Sequence, residues 1–165
     1  MRATDSARCL RILSPVTVLG LLLAALPVLA EVTLTTQVHR LAGADAGAAG
    51  SSLEPVTDVL PGDVIRYTIV FRNDSAQDVA AGSVAITNPL PEGTVYVDGS
   101  ATGNSTRITF SVDGDSFAEP AMLTVTDTSG TRRATAADYR SIRWSYGPRL
   151  PAGASGEVSF DVRIR

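Results

Sequence analysis

Apolar and polar side chains alternate with a period of two along much of this chain, most clearly between Pro61 and Ser100. After the turn signal Leu60-Pro61-Gly62-Asp63, the side chains of Ile65, Tyr67, Ile69 and Phe71 fall on one face and those of Arg66, Thr68 and Arg72 on the other. This spacing predicts a central strand, and Val70, which interrupts the polar set, predicts that part of the outer face is also covered. Asn73-Asp74-Ser75 closes the strand, and Val84 and Ile86 mark the next. Asn88-Pro89-Leu90-Pro91-Glu92-Gly93 then forces a turn, because two prolines remove ladder donors and Gly93 permits positive φ. Val95 and Val97 begin a third strand.

The alternation extends in both directions. Val32, Leu34 and Val38 alternate with Thr33, Thr35 and Gln37, which predicts a first strand. Downstream come Ile108, Phe110 and Val112, then Leu123 and Val125, then Ile142, Trp144 and Tyr146, and last Val158, Phe160, Val162 and Ile164. Eight strands are expected, separated by Gly- and Pro-rich turns, with no amphipathic helix of useful length among them. The expected fold class is all-β, an immunoglobulin-like antiparallel β-sandwich, with Trp144 as the natural core anchor.

Between the first strand and Leu60, the run AGADAGAAGSS from Ala42 to Ser52 has only small or polar residues and no periodicity, as in a flexible loop or linker. As a loop it lets the domain begin near Val32; as a linker it makes the first strand an exposed arm. Residues 31–55 are therefore set apart as a strand plus an Ala/Gly-rich loop or linker, and residues 56–165 as the sandwich.

Residues 1–30 have the layout of a secretory signal peptide, with Arg2, Arg8 and Arg11 ahead of the apolar run from Ile12 to Ala30. Val28 and Ala30 fit the small-residue positions before a cut, so cleavage is expected between Ala30 and Glu31. An uncleaved anchor is the rival reading, since the run is nearly long enough to span a bilayer; Pro15 and Pro27, which interrupt a helix, weigh against it. The expected location is the periplasm, the cell surface or the extracellular space, with membrane contact only through this segment.

Composition narrows the chemistry. Cys9 is the only cysteine and lies in the expected leader, so the domain has neither disulfide nor thiol chemistry. The 165 residues less the thirty of the leader leave 135, enough for one domain to fold on its core alone. All 14 basic residues are arginine, which rules out isopeptide cross-links from lysine. Charge is uneven: residues 31–130 hold four arginines against thirteen acids, a balance of −9, and residues 131–165 hold seven against three, or +4. Acidic and basic strands lying side by side would neutralise each other; a polar molecule that stacks on itself or binds an acidic partner is the alternative. Nucleic acid is disfavoured, because the exported part is net acidic and has no basic motif laced with aromatics.

No catalytic constellation accompanies the strands. His39 is the sole histidine, expected beyond the first strand as an exposed side chain, so a nucleophilic triad lacks its base and an ordinary zinc site lacks ligands. No cofactor is expected. Asp113-Gly114-Asp115, with Ser111 and Ser116 close by and Asp127 in reach, is the best local cluster of oxygen ligands and makes Asp113 and Asp115 weak calcium candidates. Asp-Gly between strands is also the commonest hairpin signal, and a turn is the stronger expectation. Arg132-Arg133 is expected in a solvated turn. Asn73-Asp74-Ser75 and Asn104-Ser105-Thr106 match the glycosylation sequon at expected turns and carry little weight. A tyrosine platform for sugars is unsupported, since alternation places Tyr67 and Tyr146 inward and only Tyr96 outward.

Four segments together resemble a known family: PGDVIRYTIVFRN, ITNPLPEGTVYVDGSA, ITFSVDGDSFAEP and ADYRSIRWSYGPRLPAGASGEVSFDVRIR. They are similar to the domain-of-unknown-function-eleven family, the conserved repeat domain, over roughly Val56 to Arg165. The resemblance implies an immunoglobulin-type sandwich of bacterial exported and cell-surface proteins, and it brings no catalytic residues. Many relatives repeat the module along a stalk, whereas one copy is present here, so a partner or a second copy is expected. The function expected is that of a non-enzymatic envelope or extracellular module acting in protein contact or surface structure. The alternative is a small-ligand or glycan binder, in which calcium at the Asp113 turn would take part.

Overall fold

The computed structural model describes residues 31–42 and 52–165. The expected leader up to Ala30 and the interior of the Ala/Gly-rich stretch lie outside them. Eleven strands run through the described residues: β1 Val32–Ala42, β2 Ser52–Pro55, β3 Val64–Asn73, β4 Val84–Pro89, β5 Thr94–Tyr96, β6 Thr102–Gly103, β7 Thr106–Ser111, β8 Thr124–Asp127, β9 Gly130–Arg133, β10 Ser141–Tyr146 and β11 Ser155–Ile164. Single 3₁₀ turns at Pro120–Met122 and Ala136–Asp138 are the only helical pieces among these residues.

Every pairing is antiparallel. One sheet has the order β2-β1-β3-β11-β5, with β6 also on β11, and the other has the order β4-β10-β7. The hairpin β8-β9 stands apart from both. The sheets face each other across an aromatic core. Trp144 of β10 meets Phe160 of β11 at 5.8 Å between ring centroids, Phe71 of β3 meets Tyr146 of β10 at 5.2 Å, and Tyr96 of β5 meets Phe110 of β7 at 5.1 Å. Trp144, Ile142, Phe160 and Val162 are wholly buried, as alternation within β10 and β11 requires. The fold is an antiparallel β-sandwich, as the pattern predicts.

These contacts stack β5 over β7, and β3 with β11 over β10. A three-stranded sheet then cannot cover a six-stranded one, and the first sheet overhangs at β1. Val32, Leu34, Thr36 and Val38 lie opposite Asn73, Phe71, Ile69 and Tyr67 and so share their inward face. Val32 packs against the core, but Leu34 is 53% exposed and Val38 37% exposed.

Several sequence expectations are corrected. Ala42 and Ser52, placed in the small-residue loop, end β1 and begin β2. β1 is bonded along its length to β3, so among the described residues the sheet begins at Val32 and includes strands from both sides of the expected boundary at Val56. His39 lies inside β1, half-buried between Pro55 and Arg66, instead of beyond the strand. Tyr96, expected outward, is buried, because its ring packs against Phe110 and Tyr139, which stack on each other at 4.6 Å at the β5 end of the core. Its hydroxyl accepts the Ala101 N–H at 2.9 Å. Arg132 and Arg133 belong to β9 and not to a turn, and β2 and β6 are further strands that the alternation does not predict.

Candidate functional site

The Asp113 turn is built by its own backbone. One carboxylate oxygen of Asp113 accepts the Ser111 hydroxyl at 2.7 Å and the N–H groups of Asp115 and Ser116 at 2.9 and 2.8 Å, and Gly114 takes φ 95° at the apex. The Ser116 N–H, the Ser111 hydroxyl and the Asp115 N–H, in that order, hold the Asp113 carboxyl well below the usual carboxylate range. Asp127 is engaged elsewhere, by the Ser129 N–H at 2.8 Å and by Arg132 at 3.3 Å. No group of three or more His, Cys, Asp or Glu side chains suited to a metal stands together among the described residues.

Other expected site residues have structural partners. Asn73 is fully buried; its amide donates to the carbonyls of Gln77 and Leu150 at 2.7 and 3.0 Å, so its sequon faces the interior. Ala30 lies outside the described residues. Glu31 is exposed, and its carbonyl accepts the Asp74 N–H at 3.0 Å, which ties the chain to the end of β3. Among the described residues the one fully buried carboxylate is Asp161, forked by Arg66 at 2.7 and 2.8 Å under the Ser100 loop. Alternation could not flag this pair, because Arg66 and Asp161 lie 95 residues apart on strands that become neighbours only in the fold.

A polar groove of about 710 Å³ opens between the Pro89–Gly93 turn and the start of β10, with Arg140 and Arg165 on its walls. Glu92 and Asp138 share those walls, and Asp138 is held by Arg132 at 2.8 Å and by its own Thr135 turn. Both signs of charge line the groove, and it does not select one class of ligand.

The most distinctive surface is the edge of β1. Antiparallel strands bond through alternate residues. Because Glu31 bonds to Asp74, the backbone groups of Thr33, Thr35 and Gln37 face β3, and those of Val32, Leu34 and Thr36 face outward. β2 occupies that outer side only from His39 onward, where Arg40 also pairs with Glu54 at 2.7 Å. Among the described residues no strand lies beside Val32 to Gln37, and none of these side chains is charged.

Other edges are guarded. The Leu90 N–H bonds to Arg140, which leaves only Ala85 and Thr87 of β4 open. That edge ends in Pro89, and Arg143 bonds to Thr87 at 2.9 Å while lying over the Phe117 ring. β7 is capped at Phe110 by paired bonds with Ala118, and β2, β5 and β6 have no more than four residues each. No family model, curated protein or solved structure matches the chain.

Proposed function

We propose that this chain is a non-enzymatic, exported module of the cell envelope or extracellular space that works by protein contact. The observation that carries the reading is the edge of β1, where the backbone groups of three successive outward positions, Val32, Leu34 and Thr36, meet no strand among the described residues and lie beside exposed Leu34 and Val38. Such an edge binds another strand by main-chain hydrogen bonds, with alternate side chains supplying selectivity. The resemblance to the conserved repeat domain supports the same reading, and its segments form the strands β3, β4, β5, β7, β10 and β11. Export follows from the leader pattern, with cleavage between Ala30 and Glu31.

The test is fractionation of the native host with N-terminal sequencing and a photo-crosslinked pulldown, because a lysine-free chain offers amine-reactive reagents almost nothing. The expected result is a chain beginning at Glu31, outside the cytoplasm, cross-linked to protein through residues 32–37. A cytoplasmic chain, or one that cross-links to no protein and turns over a substrate, overturns the proposal.

A further inference from the structure

We infer that the open edge of β1 pairs antiparallel with the same edge of a second copy of this chain, about a twofold axis at Leu34. The inference rests on the protein-contact reading and specifies the partner.

Register follows from which backbone groups are free. Among the outward-directed positions of β1, Val32, Leu34 and Thr36 precede the part beside β2 and meet no strand of the described residues, so a symmetric ladder must join these positions to one another. With the axis at Leu34, Val32 pairs with the second copy's Thr36, Leu34 with its Leu34, and Thr36 with its Val32. All the open groups are used. On the opposite face Thr33 meets Thr35, and Glu31 meets Gln37. A register centred on Thr35 would set Glu31 beside His39, where β2 already holds Pro55.

Charge is the argument for a second copy over an unrelated strand. A symmetric interface sets each residue against a residue of the same patch, and like charges directly opposite are destabilising. From Val32 to Gln37 the chain has no charge to repel its copy, and Glu31 meets a neutral glutamine. The facing pairs are Leu with Leu, Thr with Thr and Val with Thr, side chains suited to cross-strand contact. The pairing also covers Leu34, the more exposed of the two apolar residues on the overhang. Because no ion pair forms, association should be insensitive to salt, unlike head-to-tail stacking driven by the −9 and +4 segments.

The test is sedimentation velocity on the full chain as exported, at low and high salt. An edge pairing of this size is a weak interface, so dimer is expected near about 0.5 mM and monomer near about 5 µM. Leu34→Glu and Leu34→Arg should each be monomeric at the higher concentration, and their equal mixture should recover dimer. Thr36→Pro should abolish the dimer with little change in melting temperature, since the N–H it removes makes no bond to β3. Leu34→Cys should yield a covalent homodimer on oxidation, the Cα separation of a bonded pair, about 5.5 Å, being right for a disulfide.

Monomer at about 0.5 mM in wild type, or a dimer that survives both Leu34→Glu and Thr36→Pro, overturns the inference. The two proposals fail separately. A monomeric wild type whose residues 32–37 still cross-link to an envelope protein refutes the second copy and leaves the contact reading standing; loss of both signals refutes both.

Discussion

Asp161 is the residue whose environment alternation describes least well. It belongs to a strand read as simple alternation, yet it is fully buried on the face opposite the core, under the Ser100 loop. Its charge is met by a two-pronged bond from Arg66, whose side chain keeps 32% of its surface in water. Removing the partner strands a buried carboxylate, so Arg66→Ala is expected to cost about 3 kcal/mol in urea unfolding, the low end for buried pairs because Arg66 is partly hydrated. Arg66→Ala with Asp161→Ala should cost less than the two single changes added together, which a double-mutant cycle measures.

Asp113 gives a residue-scale prediction of pH dependence. Its folded carboxyl titrates below the ordinary range, as does that of Asp138, held first by Arg132 and then by Thr135. A depressed folded pKa stabilises fully above the unfolded value, near 4, and the contribution fades as pH falls toward the folded value. The melting temperature of Asp113→Ala should therefore lie below wild type at pH 7, and the gap should narrow steadily as the buffer is taken below about pH 4. A gap of constant size would show that the turn does not depend on the ionised carboxylate.

At the scale of elements, strands with a strict period of two were legible and short edge pieces were not. β3, β10 and β11 combine alternation, length and turn punctuation, and their buried sides are those the pattern predicts. β5 has three residues, too few for a period to fix its face, and Tyr96 points inward to pack against the stacked pair of Phe110 and Tyr139. β9 is exposed throughout and exists because it pairs with β8, a partnership with no hydrophobic signature. The leading candidate for function was legible only as a strand; that its edge stays open depends on where β2 ends, which local sequence does not encode.

Two substitutions test the packing between elements. Gly156, the second residue of β11, lies opposite Phe71, and a Cβ there would collide with the far end of the Phe71 ring. Gly156→Ala is expected to destabilise by about 1–3 kcal/mol, as overpacking does. Trp144→Ala empties the centre of β10 between Ile86 and Ile108 and should cost about 3–5 kcal/mol in the same assay.

For the whole molecule, charge is arranged more evenly in space than along the sequence. Arg149 from the basic end reaches Asp78 at 2.6 Å, and Arg132 reaches Asp127 at 3.3 Å. With the Asp113 carboxylate committed to its own turn, melting curves in excess Ca²⁺ and in chelator are expected to coincide. A gain of several degrees with Ca²⁺ would point to an ion in that loop and favour the ligand-binding alternative.

The overhang of β1 also bears on how the molecule breathes. β1 shares a ten-residue register with β3 but contributes little beyond Val32 to the core, so its hydrogen bonds lie over almost no apolar burial. Such a strand can lift away without opening the sandwich, and its amides should exchange with solvent through a local event rather than through global unfolding. The N–H groups of Thr33, Thr35 and Gln37 should therefore lose their protons much sooner than those of β10, and a second copy that docks on the edge would slow them. The strand that leaves its edge open to a neighbour is thus also the one expected to come loose first.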